Sequence, residues 1–377
     1  MRTLGDVDVA GKRILVRDDF NVPLEGGRIT DDTRIRAALP TLERLREDGA
    51  SQLVLLAHLG RPKGVDPEFS LEPVAKRLSE LLNTEVALAA TPEDVGDADV
   101  TMVENVRFFE GETADSVELA KRYAAAADVY VNDAFGAAHR AHASTHAVAK
   151  ELPSAAGLLL ENEVTTLTAM LKSPERPVAA IVGGAKVSDK IGVLERFLEV
   201  ADVVFIGGAM CFPFLKADGH SVGSSLCEAE GVPLAADLLA KSRDKLRLPT
   251  DLVLGRDFSA DTEVKVLAGV DVEDGWMGLD IGPDSQRAYA EEIRGCKTGF
   301  WNGPMGAFEL APFAAGTRAV ADALAEVPAS VVGGGDSVAA VTQFGMEDRY
   351  AHVSTGGGAS LELIEGKTLP GVEVLGT

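Results

Sequence analysis

Positive charge is scarce in this sequence: 36 lysines and arginines stand against 59 aspartates and glutamates in 377 residues, a formal net charge of −23. Nucleic acids and anionic membranes are held by net basic faces, so the composition argues against both as partners. Cysteine is scarcer still. Cys211, Cys227 and Cys296 are scattered, odd in number and without metal-ligand spacing, which points to reduced thiols in a cytoplasmic protein. No hydrophobic run is long enough to span a bilayer. The start, MRTLGDVDVAGKR, carries early acids where a secretory leader has an apolar stretch. Solenoid repeats and low-complexity tracts are missing. So are two nucleotide signatures: no G-x-x-x-x-G-K-[ST] loop occurs, and no G-x-G-x-x-G turn with an acid about 20 residues on.

What remains is ordinary globular composition, 46% hydrophobic and 25% charged, long enough for two domains with separate cores. Short apolar runs alternate with helical patterns throughout. The runs are RILVR (13–17), QLVLLAH (52–58), VTMVENV (100–106) and DVYVND (128–133), then PVAAIVGG (177–184), DVVFIGG (202–208), DLVLG (251–255), GFWNG (299–303), ASVVGGG (329–335) and AHVSTGGG (351–358). Segments such as TRIRAALPTLERLREDG and KIGVLERFLEVA place apolar residues at helical spacing between them. Continuous apolar strands separated by helices predict α/β architecture, with parallel sheets covered on both faces. The polar, proline-containing LKSPERP (171–177) separates two complete series, and the preceding ENEVTTLTAMLK reads as a bridging helix.

Ligands of open parallel sheets bind beyond the carboxyl ends of the strands. In the first half those ends carry Arg17, Asp19 and Asn21, then His58 and Arg61, then Arg107, then Asp133, His139, Arg140 and His142, with Arg34 at a nearby helix entry. In the second half they carry glycines: Gly183-Gly184, Gly207-Gly208, Gly303, Gly333–Gly335 and Gly356–Gly358. Guanidinium forks suit carboxylate and phosphate, whereas glycine admits a ligand close to the backbone and a following helix start favours phosphate. In GGAKVSDK, Lys186 and Lys190 fall four apart, the spacing of one helical face. The halves therefore predict a small anion in the first and a nucleotide in the second. The stretch GAAHRAHASTH (136–146) holds three of the six histidines. Its spacing leaves three readings open: a zinc site, a solvated surface run and an anion pocket. Its place after a strand end favours the pocket.

VRDDFNVP, AHLGRPKG, ENVRFFEGE, NDAFGAAHRAHAST, GGAKVSDKI, NGPMGAFE, VVGGGDSVAAV and STGGGASLELIEGK, in this order, resemble phosphoglycerate kinase over essentially the whole chain. The resemblance implies two Rossmann-like lobes joined by a hinge helix: residues 1–170 with the returning tail 361–377, and residues 171–360. It implies transfer between ATP and the carboxylate of 3-phosphoglycerate, giving ADP and 1,3-bisphosphoglycerate, by a cytoplasmic, magnesium-dependent monomer with only small-molecule partners. It assigns the triose acid to Asp19, Asn21, Arg34, His58, Arg61, Arg107 and Arg140. It assigns the nucleotide to Gly183, Gly184, Lys190, Gly207, Gly208, Asn302, Pro304, Glu309, Gly334, Gly335, Asp336 and Ser337, with Asp336 toward magnesium. Arg34, Lys186 and Gly357 surround the transferring group. Three departures stand out: Asp18 replaces an apolar residue, Ser337 replaces a threonine, and AMCFPFLKA differs from the usual run. Strand alternation puts Asp18 opposite Asp19.

A rival dehydrogenase reading needs the missing dinucleotide turn, and a non-catalytic anion-binding scaffold gives no reason for Lys186 and Lys190 beside glycine turns. A hinged kinase must bring the reacting atoms of its two substrates within about 3–3.5 Å of each other. By solution scattering, the radius of gyration is therefore expected to fall most with both substrates present; an unchanged radius would remove the hinge.

Overall fold

The computed structural model describes residues 1–376. It divides into two compact units, one formed by Met1–Thr165 with the segment that begins at Lys367, the other by Thr166–Gly366.

The first unit is built on strands β1 (Arg13–Arg17), β4 (Gln52–Leu56), β5 (Val86–Ala89), β6 (Val100–Val103), β7 (Val129–Asn132) and β8 (Ser154–Ala156), with a small antiparallel hairpin of β2 (Leu24–Glu25) and β3 (Arg28–Ile29). The sheet order is β5-β6-β4-β1-β7-β8, and all its pairings are parallel. Helices α1 (Thr33–Glu47), α2 (Glu72–Leu82) and α3 (Val117–Ala125) form the crossovers. Their apolar stripes explain where they lie: α2 buries Val74, Ala75, Leu78 and Leu82, a helical repeat. These join Ile14, Val16, Leu53, Leu55 and Val131 in one core.

Helix α4 (Leu158–Lys172) follows Gly157. Its first amide groups have no local cap. Thr41 Oγ1 accepts from Leu158 N at 2.9 Å, and Asp133 Oδ1 accepts from Leu159 N at 2.9 Å and Leu160 N at 3.1 Å. Side chains from α1 and the end of β7 thus do the capping.

In the second unit β9 (Val178–Val182), β10 (Val203–Ile206), β11 (Leu246–Arg247), β15 (Thr298–Asn302), β16 (Ala329–Gly333) and β17 (His352–Val353) form a parallel sheet in the order β11-β10-β9-β15-β16-β17. A separate antiparallel sheet, β13-β12-β14, comprises β12 (Leu252–Gly255), β13 (Val264–Leu267) and β14 (Met277–Ile281). The run DLVLG is therefore a strand, but an antiparallel one. It reads like a parallel-sheet strand because all four residues of β12 are buried. Helices α5 (Ile191–Val200), α6 (Cys211–Ala217), α7 (Gly231–Ser242), α8 (Pro283–Arg294), α9 (Ala315–Leu324), α10 (Gly335–Gln343) and α11 (Gly358–Ile364) complete this unit.

The chain then returns to the first unit through α12 (Pro370–Glu373). Asn132 Nδ2 donates to the Gly371 carbonyl at 3.0 Å, Gly371 N to Ala138 O at 2.9 Å, and Arg2 N to Leu375 O at 2.9 Å. A Cβ on Gly371 would lie 3.0 Å from Ala138 Cα, so glycine permits this docking.

Candidate active site

In the first unit the predicted cations gather beyond the ends of β1, β4, β6 and β7. The centre is a residue that composition makes improbable at depth. Arg17, the last residue of β1, is 1% exposed. Its Nε donates to Ser144 Oγ at 2.9 Å, its Nη2 approaches His58 Nδ1 at 3.1 Å, and its Nη1 donates to the Asp18 carbonyl. Ser144 sits in a π-helical turn, Ala143–Ala147, and passes the network on: its Oγ donates to Glu112 Oε1 at 2.6 Å and its N to Glu112 Oε2 at 3.2 Å. One buried guanidinium thus joins β1, the end of β4 and the histidine-rich stretch.

Around it, Asp19 accepts from Arg34, and its Oδ1 also accepts from Asn21 N at 3.2 Å. Asn21 Oδ1 in turn accepts from Gly60 N at 2.8 Å, and Arg107 donates to the Gly60 carbonyl. Burial works to raise the Asp19 carboxyl, but Arg34, His58 and Arg17 outweigh it and hold it below the usual carboxylate range. Arg107 is pushed down by burial and by the charges of Arg17, Arg140 and Arg61. Burial and Arg17 also lower His58 to about 3. Burial, Arg17, Arg107, Arg140 and His139 lower His142 to about 4. Burial is the largest cause for Arg107, His58 and His142, and the neighbouring cations add to it.

GAAHRAHASTH is drawn apart at the side-chain level. His146 Nδ1 lies 2.6 Å from Asp115 Oδ2, His139 Nε2 accepts from Arg140 Nε at 3.1 Å, and His142 Nδ1 is 3.9 Å from Glu112 Oε1. Among the described residues no group of three or more histidines, cysteines or carboxylates is arranged to hold a metal. Asp18 is buried, and neither of its carboxyl oxygens has a hydrogen-bond partner.

In the second unit a cavity of about 840 Å³ is lined by Gly184, Gly208, Pro304, Glu309 and Asp336 from the predicted set. Its other walls were not anticipated: Leu226, Phe258, Met277, Gly278, Leu279 and Phe308. Leu226 and Phe258 are 63% and 61% exposed, unusual for large apolar side chains. The sequence signal for them is weak, since neither belongs to a periodic element. Gly183 and Gly207 do not line the cavity. A Cβ on Gly183 would sit 2.0 Å from Pro304 O, and one on Gly207 2.4 Å from Met305 Sδ. Their role is to let the loop after β15 pack against β9 and β10.

Lys186 and Lys190 do not share a helical face. Ser188–Lys190 form a 3-10 turn, α5 begins at Ile191, and Lys186 lies exposed in the preceding loop. The turn forms because Glu228 accepts from Ser188 N at 3.1 Å and from its hydroxyl. Lys190 folds inward, donating to Gly183 O at 2.7 Å and Asn302 O at 3.2 Å. Burial lowers its ammonium to about 8, with Asp336 and Asp189 working the other way. Ser337 Oγ accepts from Gly303 N at 2.5 Å, and Asn302 Nδ2 donates to Gly333 O at 3.0 Å, leaving the buried Asn302 Oδ1 without a partner. Gly334 and Gly357 stand immediately before α10 and α11, and Asp336 lies exposed in the first turn of α10.

The family model described as phosphoglycerate kinase matches residues 4–367. The chain belongs to the phosphoglycerate kinase family. It is 52% identical to the cytosolic phosphoglycerate kinase of Triticum aestivum, covering 99% of this chain and 97% of the relative. It is also 52% identical to the phosphoglycerate kinase of Nostoc punctiforme, covering 100% and 98%. The phosphoglycerate kinase of Coxiella burnetii matches the fold with a TM-score of 0.91 at 42% identity, covering 99% of this chain and 98% of that one. That of Pyrococcus horikoshii gives 0.87 at 32%, covering 100% and 98%. As a member of this family the chain is a glycolytic kinase, transferring phosphate between ATP and 3-phosphoglycerate.

Removing the buried guanidinium would leave Glu112 without its compensating charge. Arg17→Met is expected to cost roughly 3 kcal/mol or more in urea unfolding. Arg17→Lys is expected to recover little of this, because one ammonium cannot span Ser144, His58 and the Asp18 carbonyl. A wild-type unfolding midpoint for either variant would contradict the assignment.

Proposed function

We propose that the cation-lined strand ends of the first unit bind 3-phosphoglycerate and that the cavity of the second unit binds ATP or ADP. One observation carries this reading. Arg107 is pushed down by burial and, beside it, by the charges of Arg17, Arg140 and Arg61, which gather at these strand ends. A strongly acidic chain has no structural reason to assemble such a cluster, whereas a bound anion relieves it. The triose acid brings two anionic ends, and the seven residues Asp19, Asn21, Arg34, His58, Arg61, Arg107 and Arg140 receive it. His58 serves as a neutral donor: its Nδ1 faces Arg17, so its ring hydrogen belongs on Nε2.

In the second unit the exposed apolar walls Leu226 and Phe258 suit the flat face of a base. Glu309 takes the ribose hydroxyls. Lys190, Asn302, Pro304, Gly334, Gly335 and Ser337 surround the phosphates, with Gly184 and Gly208 in the wall and Gly183 and Gly207 packed behind it. Asp336 is a free-standing carboxylate facing the cavity, a donor of the hard-oxygen type that magnesium takes when it also binds phosphate oxygens. There the ion would offset the nucleotide's charge.

The acceptor carboxylate is ionised at neutral pH, its reference pKa being about 4, so no general base is required. Arg34 and Lys186 neutralise the equatorial oxygens of the moving phosphoryl group, and the amides near Gly357 stabilise it from the helix start. The same reading takes the protein as a cytoplasmic monomer. The cytoplasmic location is supported by the cytosolic designation of the wheat relative. No helix among the described residues is long and apolar enough to cross a membrane.

A coupled assay tests the assignment directly. ADP is expected from ATP only when 3-phosphoglycerate and magnesium are both present, and Arg140→Ala should raise the KM for the triose acid while leaving ATP binding nearly intact. Turnover indifferent to the acid would refute it.

Lys190 gives a second test. Burial lowers its ammonium to about 8. A bound phosphate keeps it charged, so above that pH binding must take up a proton. ADP affinity is therefore expected to fall as pH rises from 8 to 9.5, by up to about tenfold per pH unit. Lys190→Arg should flatten the dependence; an unchanged slope would place the phosphates elsewhere.

A further inference from the structure

Asp18 follows the last residue of β1, and Asp133 follows the last residue of β7. Arg17 and Asn132 are register partners, and Asp133 N donates to Arg17 O at 2.8 Å. The two aspartates are therefore the next neighbours along a parallel pair, on strands about 4.8 Å apart, with side chains leaving the same face. Asp18 is 0% exposed and Asp133 1%. Asp133 Oδ1 accepts from the amides of Leu159 and Leu160. Its Oδ2 has no partner, and neither oxygen of Asp18 has one. Two ionised carboxylates here would repel each other in a dry core and leave three acceptor oxygens unsatisfied. One proton would remove the repulsion and pair two of the three oxygens, with a protonated Asp18 donating its O–H to Asp133 Oδ2.

We propose that Asp18 and Asp133 share a single proton, and that this proton latches the first turn of α4 to the strand ends of the first unit. Asp133 reaches α4 with one oxygen and Asp18 with the other, so the protonation of Asp18 decides whether Asp133 stays where α4 needs it. The surroundings agree. Burial, and then the neighbouring Asp133, push the Asp18 carboxyl well above the carboxylate range, with Asp19 adding to the push and Arg17 opposing it. The head of Arg17 is engaged by Ser144, His58 and the Asp18 main chain, and makes no bond to either Asp18 carboxyl oxygen. Tyr130 of β7 also feels the Asp18 charge. Burial raises Asp133 to about 6, against the bonds from Thr41, Leu160 and Leu159.

The direction of the pH effect follows. Both folded pKa values lie above the ordinary 3.8. The contribution of the pair is thus complete at acid pH, below 3.8, and is lost as pH rises toward the folded values. Asp18→Asn keeps the shape and offers a permanent N–H to Asp133 Oδ2.

The test compares thermal unfolding of the whole protein and its Asp18→Asn variant between pH 5 and pH 9, together with hydrogen exchange at Leu159 and Leu160. The variant is expected to unfold at higher temperature. Its margin should widen by roughly 3 °C or more across that range. Protection of the two amides, corrected for intrinsic exchange, should decline with pH in the parent and hold in the variant. Parallel pH profiles would overturn the proposal, as would a variant less stable than the parent at pH 9. Should the variant not fold, the infrared spectrum of the parent decides: a protonated carboxyl band at pH 7 supports the shared proton, and its absence refutes it.

Discussion

The first unit depends on one buried positive charge. Arg17 holds three separately arriving pieces of chain at the mouth of a parallel sheet: its own strand β1, the His58 end of β4 and the π-helical turn at Ser144. Desolvating a guanidinium is costly unless its donors are all engaged. Here each guanidinium nitrogen has a partner, and the Ser144 acceptor is itself held by the buried Glu112. The more exposed arginines, Arg61 and Arg140, are then arrayed around a fixed core charge. An acidic protein can thus keep a local positive potential despite a net charge of −23.

The second unit solves its problem with shape. Close approach of the loop after β15 to β9 and β10 demands residues without side chains at Gly183 and Gly207, and at Gly208, whose φ of +64° also favours glycine. Lys190 is drawn into that packing, held by two carbonyls at the strand ends. Backbone surface and an apolar wall, with the carboxylates Glu309 and Asp336, line a cavity shaped by close packing, in contrast to the cation-rich face of the first unit.

Much of this was legible in the sequence. Parallel strands buried on both faces read as continuous apolar runs, so nearly every central strand was visible, and the residues just after each run are those at the strand ends. The strand Leu252–Gly255 shows the limit: burial on two faces leaves the same signature whether neighbours run parallel or antiparallel. Short strands such as Val86–Ala89 and Ser154–Ala156 carry too few apolar residues to announce themselves. Lys186 and Lys190 were misplaced on a common helix because a distant residue, Glu228, closes a 3-10 turn between them. Phe258 and Leu226 lie in irregular segments, where no period marks a residue as facing a cavity. Asp18 was seen as a departure, but only register could reveal that its neighbour is Asp133.

The docking of residues 367–376 onto the first unit has a consequence for synthesis. Arg2 bonds to Leu375, and Asn132 to Gly371, so the ladder of contacts that finishes this unit joins segments separated by the whole of the other one. On the ribosome, residues 166–366 are contiguous and can collapse as soon as they emerge, whereas the earlier-made segment must wait for a stretch translated later. The first unit would spend that interval with the ends of β7 and β8 uncovered, a nascent intermediate on which holding chaperones and quality-control proteases can act.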